Sequence, residues 1–585
     1  MDRSAHGLLP SRAARLVVVV ALLVAGLVLP PPPGAAGAPA RVGPTDSTLA
    51  AAWYRDFLGR SADAGTGYWV QRLSSASREQ VLAELLRTPE ESRTQVGGYY
   101  ARYLGRTPDA GAGYWTSGVE AGRFPLEWVE QNVLASDEYV AGHGGAGASS
   151  LVVSWYAAIL GRSDATEGDV RYWQQRLRNG GALEAVRGIW YSSEAVSRRV
   201  SAHYRQLLGR SASRSEVQLW APQEVASDIA TQTGIASSAE YDRVGAARSV
   251  LDRLNPAERA AQVIMVGVPA GAPASQRYLV GQDVVGGVFL VGRSSRGVSA
   301  TAADVAVLQS DIAARGLPDV LVAADEEGGR VQTLSGSGFP SIPSALAQGR
   351  LSQSGLASLT QSWAGPLRRS GVSLNLAPVA SPVPAGTEAQ NPPIGALDRQ
   401  YGSDPAAVAA DVSTVVTASR DVGLLSTAKH FPGLGRVRAN TDFTADVVDD
   451  VTTAGSASLE PFRAAARAGA AAVMVSSARY TRIDASSVAA FSPRIVSGLL
   501  RDEVGFTGLV MTDDMGNAAA VQSVPVGQRA VRFLRAGGQL VLTVDPADLG
   551  PMEDALTQAA ASDPGFAATM DAAAVRVLQT RMPTR

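Results

Sequence analysis

The chain has 585 residues, 46 % of them apolar and 18 % charged, enough for several buried cores and, at roughly 100–200 residues each, about three or four domains. A net charge of −2 and the lack of any Lys/Arg-rich run exclude a basic field for nucleic acid. The absence of cysteine excludes disulfides, a lipid-modified cysteine and cysteine zinc sites.

The first forty residues have the layout of an export signal. Arg3, Arg12 and Arg15 precede an apolar run from Leu16 to Leu29, then prolines from Pro30 to Pro33, then Ala38-Pro39-Ala40 as an A-x-A cleavage site. The run falls short of the ~20 residues a bilayer span needs. The expectation is a signal peptide over 1–40 and a protein secreted or associated with the cell wall, with no stable membrane span after cleavage.

From 48 to 247 one motif occurs four times. Tyr54-Arg-Asp-Phe-Leu-Gly-Arg60, Tyr100-Ala-Arg-Tyr-Leu-Gly-Arg106, Tyr156-Ala-Ala-Ile-Leu-Gly-Arg162 and Tyr204-Arg-Gln-Leu-Leu-Gly-Arg210 each precede an aromatic site, Tyr68-Trp69, Tyr114-Trp115, Tyr172-Trp173 and Trp220. Their glycines lie 46, 56 and 48 residues apart, a spacing that signals a repeat array. Glycine just past the last apolar residue stops a helix, and Thr88-Pro89-Glu90, Ser136-Asp137-Glu138 and Ser192-Ser193-Glu194 start the next. An all-α array follows, with the tryptophans in its core. Asp63 and Asp109 are too few oxygen donors for a calcium cage, so no metal is expected. The pattern resembles a helical repeat domain of unknown function from secreted bacterial proteins. That resemblance implies no chemistry and leaves open a cell-surface partner.

From 250 to 585 short apolar runs alternate with helix-like stretches: Gln262–Val268, Val284–Val291, Val320–Ala324, Val372–Val379, Leu424–Ala428, Ala471–Val475, Gly508–Met511 and Gly538–Val544. Eight such runs indicate an α/β fold of the (β/α)8, TIM-barrel type, with an open doubly wound sheet as the alternative. A barrel places its chemistry just past the strand ends. The third run ends in Asp325-Glu326-Glu327-Gly328-Gly329-Arg330, the fifth in Lys429-His430 and the seventh in Thr512-Asp513-Asp514. Lys429 is the only lysine in the chain, and His430 the only histidine after position 203. An ammonium donates and a neutral imidazole both donates and accepts, which suits sugar hydroxyls.

On these residues the C-terminal half resembles glycoside hydrolase family 3, specifically its single-barrel β-N-acetylglucosaminidase branch, which acts in cell-wall recycling. The matches run in family order: Val322-Ala-Ala-Asp325-Glu-Glu-Gly-Gly-Arg330, Leu376-Ala-Pro-Val379, Arg399-Gln-Tyr-Gly402, Lys429-His-Phe-Pro-Gly433, and Leu499-Leu-Arg-Asp-Glu-Val-Gly-Phe506 leading to Thr512-Asp-Asp514. Little chain remains for the sandwich-type domain of longer members.

The resemblance implies a retaining mechanism with Asp513 as nucleophile, and Asp325, Arg399, Lys429 and His430 holding the sugar. Arg399 follows an extra residue in Ala396-Leu397-Asp398, and Glu327 and Arg330 read as loop-holding residues. One departure stands out. Where the branch carries an Asp-x-His acid/base dyad, this chain reads Asn440-Thr441-Asp442-Phe443-Thr444, with threonine in the histidine's place. Asp442, or another carboxylate, is then the candidate proton donor. The substrate expected is a β-N-acetylglucosaminide glycan or peptidoglycan fragment, with no cofactor and no metal. The alternative is a non-catalytic glycan-binding or wall-attachment protein built on a degenerate barrel.

Overall fold

The structure, a computed structural model, describes residues 46–144 and 147–582; the export-signal reading of residues 1–40 lies outside them. The described chain is a helix-rich region, Asp46–Leu251, followed by a closed eight-stranded parallel barrel.

Each repeat builds the same joint. Gly59, Gly105, Gly161 and Gly209 end their helices at left-handed φ of 63°, 65°, 66° and 69°, a conformation that costs other L residues roughly 1–2 kcal/mol. The turn sends the following arginine back over the tyrosine that opened the motif. The guanidinium carbons of Arg60, Arg106, Arg162 and Arg210 lie 4.6, 4.9, 4.8 and 4.8 Å from the ring centroids of Tyr54, Tyr100, Tyr156 and Tyr204. Each Nε also donates to a glutamate in the first turn of a later helix: Glu90, Glu138, Glu194 or Glu240. Thr88, Ser136, Ser192 and Ser238 cap those helices, so the start signals and the Leu-Gly-Arg stops form one contact.

Asp63 pairs with Arg60 and accepts from the Gly65 N–H, and Asp109 does the same with Arg106 and Gly111. Trp69 is buried, and Trp115, Trp173 and Trp220 pack against the repeat cores. The indoles of Trp173 and Trp220 donate to the Tyr156 and Tyr204 hydroxyls, both at 2.9 Å. The middle units share a core of their own, whereas the first and last units share one with the barrel's outer layer.

In the barrel, β1 (Ile264–Pro269), β2 (Gly287–Val291), β3 (Leu321–Ala324), β4 (Leu374–Asn375), β5 (Leu425–Phe431), β6 (Ala472–Val475), β7 (Leu509–Asp514) and β8 (Leu540–Thr543) follow one another around the ring. Ile264 pairs with Val541 to close it. All eight expected runs became strands. β4 is shorter than its run because Ala377-Pro378 follows, and proline brings no N–H to a ladder.

Buried on both faces, the strands read as continuous apolar runs. Alternate residues still divide: Met265, Leu321, Ala323, Leu374, Ala472, Met474, Leu509, Met511, Leu540 and Leu542 fill the interior. Their neighbours Ile264, Val266, Val322, Ala324, Val473, Val475, Val510 and Val541 pack outward under the helices.

Candidate active site

The inward alternation continues past the strand ends. Asp325 comes next after Leu321 and Ala323, Lys429 after Leu425 and Thr427, and Asp513 after Leu509 and Met511. These three, with Arg399, His430 and Asp442, line a single cavity of about 250 Å³ over a floor that includes Leu376 and Met474. Its volume is below the roughly 300–1,000 Å³ of pockets for drug-sized ligands, so it suits one sugar ring. All six residues singled out in the sequence are brought together there.

Glu327 organises the cations. It sits in a tight hairpin, Glu326–Gly328 against Val331–Gln332; a Cβ on Gly328 (φ 97°) would lie 2.1 Å from the Pro343 carbonyl. The Arg399 guanidinium forks onto Glu327, Nε at 2.8 Å and Nη2 at 2.7 Å, and Lys429 Nζ stands 2.6 Å away on the same carboxylate. Lys429 Nζ also donates to Asp325 Oδ1 at 2.5 Å. Burial alone would raise the Glu327 carboxyl and lower the Lys429 ammonium. The attraction wins at both: Arg399 and Lys429 bring Glu327 down to about 2, and Asp325 and Glu327 hold Lys429 above its ordinary value.

Glu327 therefore does more than hold its loop. Sequence reading missed this because its partner Arg399 is 72 residues away. Asp398 takes a left-handed φ of 57°, and its carbonyl accepts from Leu346, so the extra residue before Arg399 is absorbed in the turn. Among the described residues Arg330 contributes only its carbonyl, to Arg293.

At the end of β5 the register against β6 slips between Lys429 and Phe431, at a cis Lys429–His430 peptide bond. Both side chains line the cavity. His430 is buried, and burial together with Arg399 and Lys429 pushes its pKa well below the usual imidazole value. The ring is neutral, with one donor and one acceptor nitrogen. Its Nδ1 has no hydrogen-bond partner among the described residues, and its Nε2 lies 4.0 Å from Asp513 Oδ2.

Burial and then Asp442 push the Asp513 carboxyl up to about 7, against Lys429 and the Asp514 N–H, which donates to Asp513 Oδ1 at 3.0 Å. Asp442, open to solvent on one side, is raised as well, by desolvation against the site first, with Asp514 and Asp325 adding to it and Arg399 and Asn440 opposing. With an ionised Asp442 beside it Asp513 holds its proton more tightly, so the two carboxyls titrate as a pair. Asp514 ties up its oxygens on the Gly516, Asn517 and Val544 N–H groups, a turn-holding role.

The loop carrying Asp442 is held at both ends. Asn391 Nδ2 donates to the Leu434 and Val437 carbonyls, the Ala519 and Ala520 N–H groups donate to the Asp442 and Thr441 carbonyls, and Asn440 Oδ1 accepts from the Asp442 N–H. Asn440, Thr441 and Asp442 face the cavity. Phe443 is 84 % exposed, and Thr444 is exposed and outside the lining.

Away from the barrel, His203, Glu224 and Asp228 place ligand-type atoms within 4.8 Å of one another. Arg199 pairs with Glu224 at 2.7 Å and His203 Nε2 with Asp228 at 2.7 Å. Although burial opposes it, Asp228 and Glu224 drive His203 up to about 10, so the imidazole is a cation in an ion-pair cluster.

The family model described as the glycosyl hydrolase family 3 N-terminal domain matches residues 257–580, more than half of the chain. A β-hexosaminidase of Stenotrophomonas maltophilia (strain R551-3) is 35 % identical over 297 residues, 48 % of this chain and 84 % of the relative. A solved β-N-acetylhexosaminidase from Beutenbergia cavernae DSM 12333 is 45 % identical with a TM-score of 0.55, covering 56 % of this chain and 98 % of that one. A glycosyl hydrolase of the same family from Mycobacterium smegmatis str. MC2 155 is 30 % identical with a TM-score of 0.50, covering 57 % and 99 %. A family match that runs from before β1 to beyond β8, over more than half of the chain, means that the chain belongs to glycosyl hydrolase family 3.

Proposed function

We propose that the barrel is a retaining β-N-acetylhexosaminidase acting on β-linked N-acetylglucosaminides, with Asp513 as nucleophile and Asp442 as acid/base. The observation that carries this reading is the pair of carboxyls, Asp513 and Asp442, lining one sugar-sized cavity beside a fixed ammonium and a neutral imidazole. In the reactive state the pair's one proton rests on Asp442 and leaves Asp513 ionised; Asp513 attacks the anomeric carbon as the glycosidic C–O bond breaks, and the Asp442 proton passes to the leaving oxygen. Asp442 then takes a proton from water as that water displaces Asp513 from the sugar. Asp325, Arg399, Lys429 and His430 hold the ring's hydroxyls.

A non-catalytic glycan-binding protein was the alternative, suggested by threonine at the expected histidine position. Thr444 lies off the cavity and Asp442 on it, which favours catalysis. Hydrolysis of a chromogenic N-acetylglucosaminide by the parent and by Asp513→Asn tests the reading. Activity should be lost in the variant; unchanged turnover removes Asp513 as nucleophile, and inactivity of both chains favours a binding protein.

We extend the proposal to location and substrate source. The arginines, apolar run and A-x-A site of residues 3–40 support export. The resemblance to cell-wall recycling enzymes supports glycans of peptidoglycan origin. Among the described residues no helix is long and apolar enough to cross a membrane. Fractionation of producing cells, and release of N-acetylglucosamine from wall fragments, test the two extensions.

A further inference from the structure

Beneath the barrel, at the N-terminal ends of the strands and away from the sugar cavity, a hollow of about 680 Å³ opens against the helix Ala239–Leu251. Its walls carry Arg243 from that helix and Arg368, Arg420, Arg576 and Arg581 from the barrel half, against two carboxylates, Glu240 and Asp319. Glu240 is already engaged: Arg210 donates to both of its oxygens, whereas Arg576 reaches it only at 3.9 Å. Arg581 donates to the Asp319 and Pro318 carbonyls and to Gln262 Oε1, all neutral oxygens. The five guanidiniums thus share two carboxylates, one of them already held by Arg210.

Burial pushes the Arg576 and Arg581 guanidiniums down, to about 10 and about 9; at Arg576, Arg210 and Arg243 add to the effect while Glu240 and Glu216 oppose it, and at Arg581 Asp319 opposes it. Arg368 and Arg420 occupy the last turns of their helices, where the helix dipole favours a cation. Neither that dipole nor a close ion pair accounts for Arg243 and Arg576.

We propose that the hollow binds a multivalent oxyanion of the phosphate class, between Arg243 of the helix-rich region and Arg368 and Arg576 of the barrel half. Guanidinium forks match phosphate oxygens two at a time, and a multiply charged anion offsets most of the excess of five guanidiniums over two carboxylates. The volume exceeds that of a single phosphate, so the group is either a free diphosphate or part of a longer phosphodiester.

Calorimetric titration of the full chain with inorganic pyrophosphate, and separately with a glycerol-phosphate phosphodiester oligomer, at fixed ionic strength, tests the site. Saturable one-to-one binding is expected for at least one probe, weakened at least ~10-fold in an Arg243→Gln, Arg368→Gln double variant. Far-UV circular dichroism and melting confirm that the variant is folded. Tighter binding of pyrophosphate identifies a free anion, and tighter binding of the oligomer a polymer end. No saturable heat from either probe up to ~10 mM, or unchanged affinity in the double variant, overturns the proposal.

Discussion

Glu327→Gln isolates the charge that organises the sugar site. The carboxylate side chain is 2 % exposed, and Arg399 and Lys429 bring its pKa from 4.5 to about 2 against the effect of burial. A fall from 4.5 to about 2, at ~1.4 kcal/mol per unit, is on the order of 3 kcal/mol. That lies within the ~3–5 kcal/mol lost when one partner of a buried ion pair is removed. Because the folded value is the lower one, this stability is complete well above pH 4.5 and disappears as pH falls towards 2.

Urea unfolding of the parent and Glu327→Gln, followed by far-UV circular dichroism and by residual activity, should therefore differ by about 3 kcal/mol at pH 7 and by less than half of that at pH 3. A difference below ~1 kcal/mol at pH 7 would refute the reasoning, as would one that does not change with pH. Either result would mean that Lys429 and Arg399 find their counter-charge elsewhere.

The proton donor is open to the same treatment. Asp442→Ala should lower kcat/KM by ~10²–10⁴-fold, more on a disaccharide than on an aryl glycoside whose leaving group needs little protonation, while Thr444→Ala stays near the parent; equal effects would remove Asp442 from that role. In the parent, activity should fall above about pH 7, where the last proton leaves the Asp442–Asp513 pair, and again at acid pH, where both are protonated. Asp442→Asn removes the charge that raises Asp513, so the fall above about pH 7 should be missing from its residual activity on an aryl glycoside while the acid limb stays near the parent's; a fall that persists near pH 7 means that the pair does not share that proton.

The strands were legible because burial on both faces leaves continuous apolar runs such as Val320–Ala324, and their inward alternation leads directly to Asp325, Lys429 and Asp513. The four helix stops were legible because Leu-Gly-Arg recurs at each left-handed glycine. Glu327 was not, since a carboxylate in a glycine-rich turn reads as local and its partners are distant in sequence. In the loop after β5 the resemblance leaves Asp442 as the candidate beside Thr444, and the hydrogen bonds that hold Asp442 on the cavity come from Ala519 and Ala520 beyond β7, which no local pattern announces. The arginine hollow gave no signal, because its residues come from helices and turns scattered from Arg243 to Arg581.

The helix Ala239–Leu251 lies along Pro564–Arg581, the last helix of the barrel half, and Val244, Ala247 and Val250 share one apolar core with Met570, Ala573 and Ala574. The array is thus not a tail that could be trimmed without consequence. Cutting before the first strand would strip the catalytic half of a covering it has come to depend on and leave hydrocarbon facing water. Selection for a sturdier or softer enzyme has more than two hundred residues of helical scaffold through which to act, none of them near the sugar.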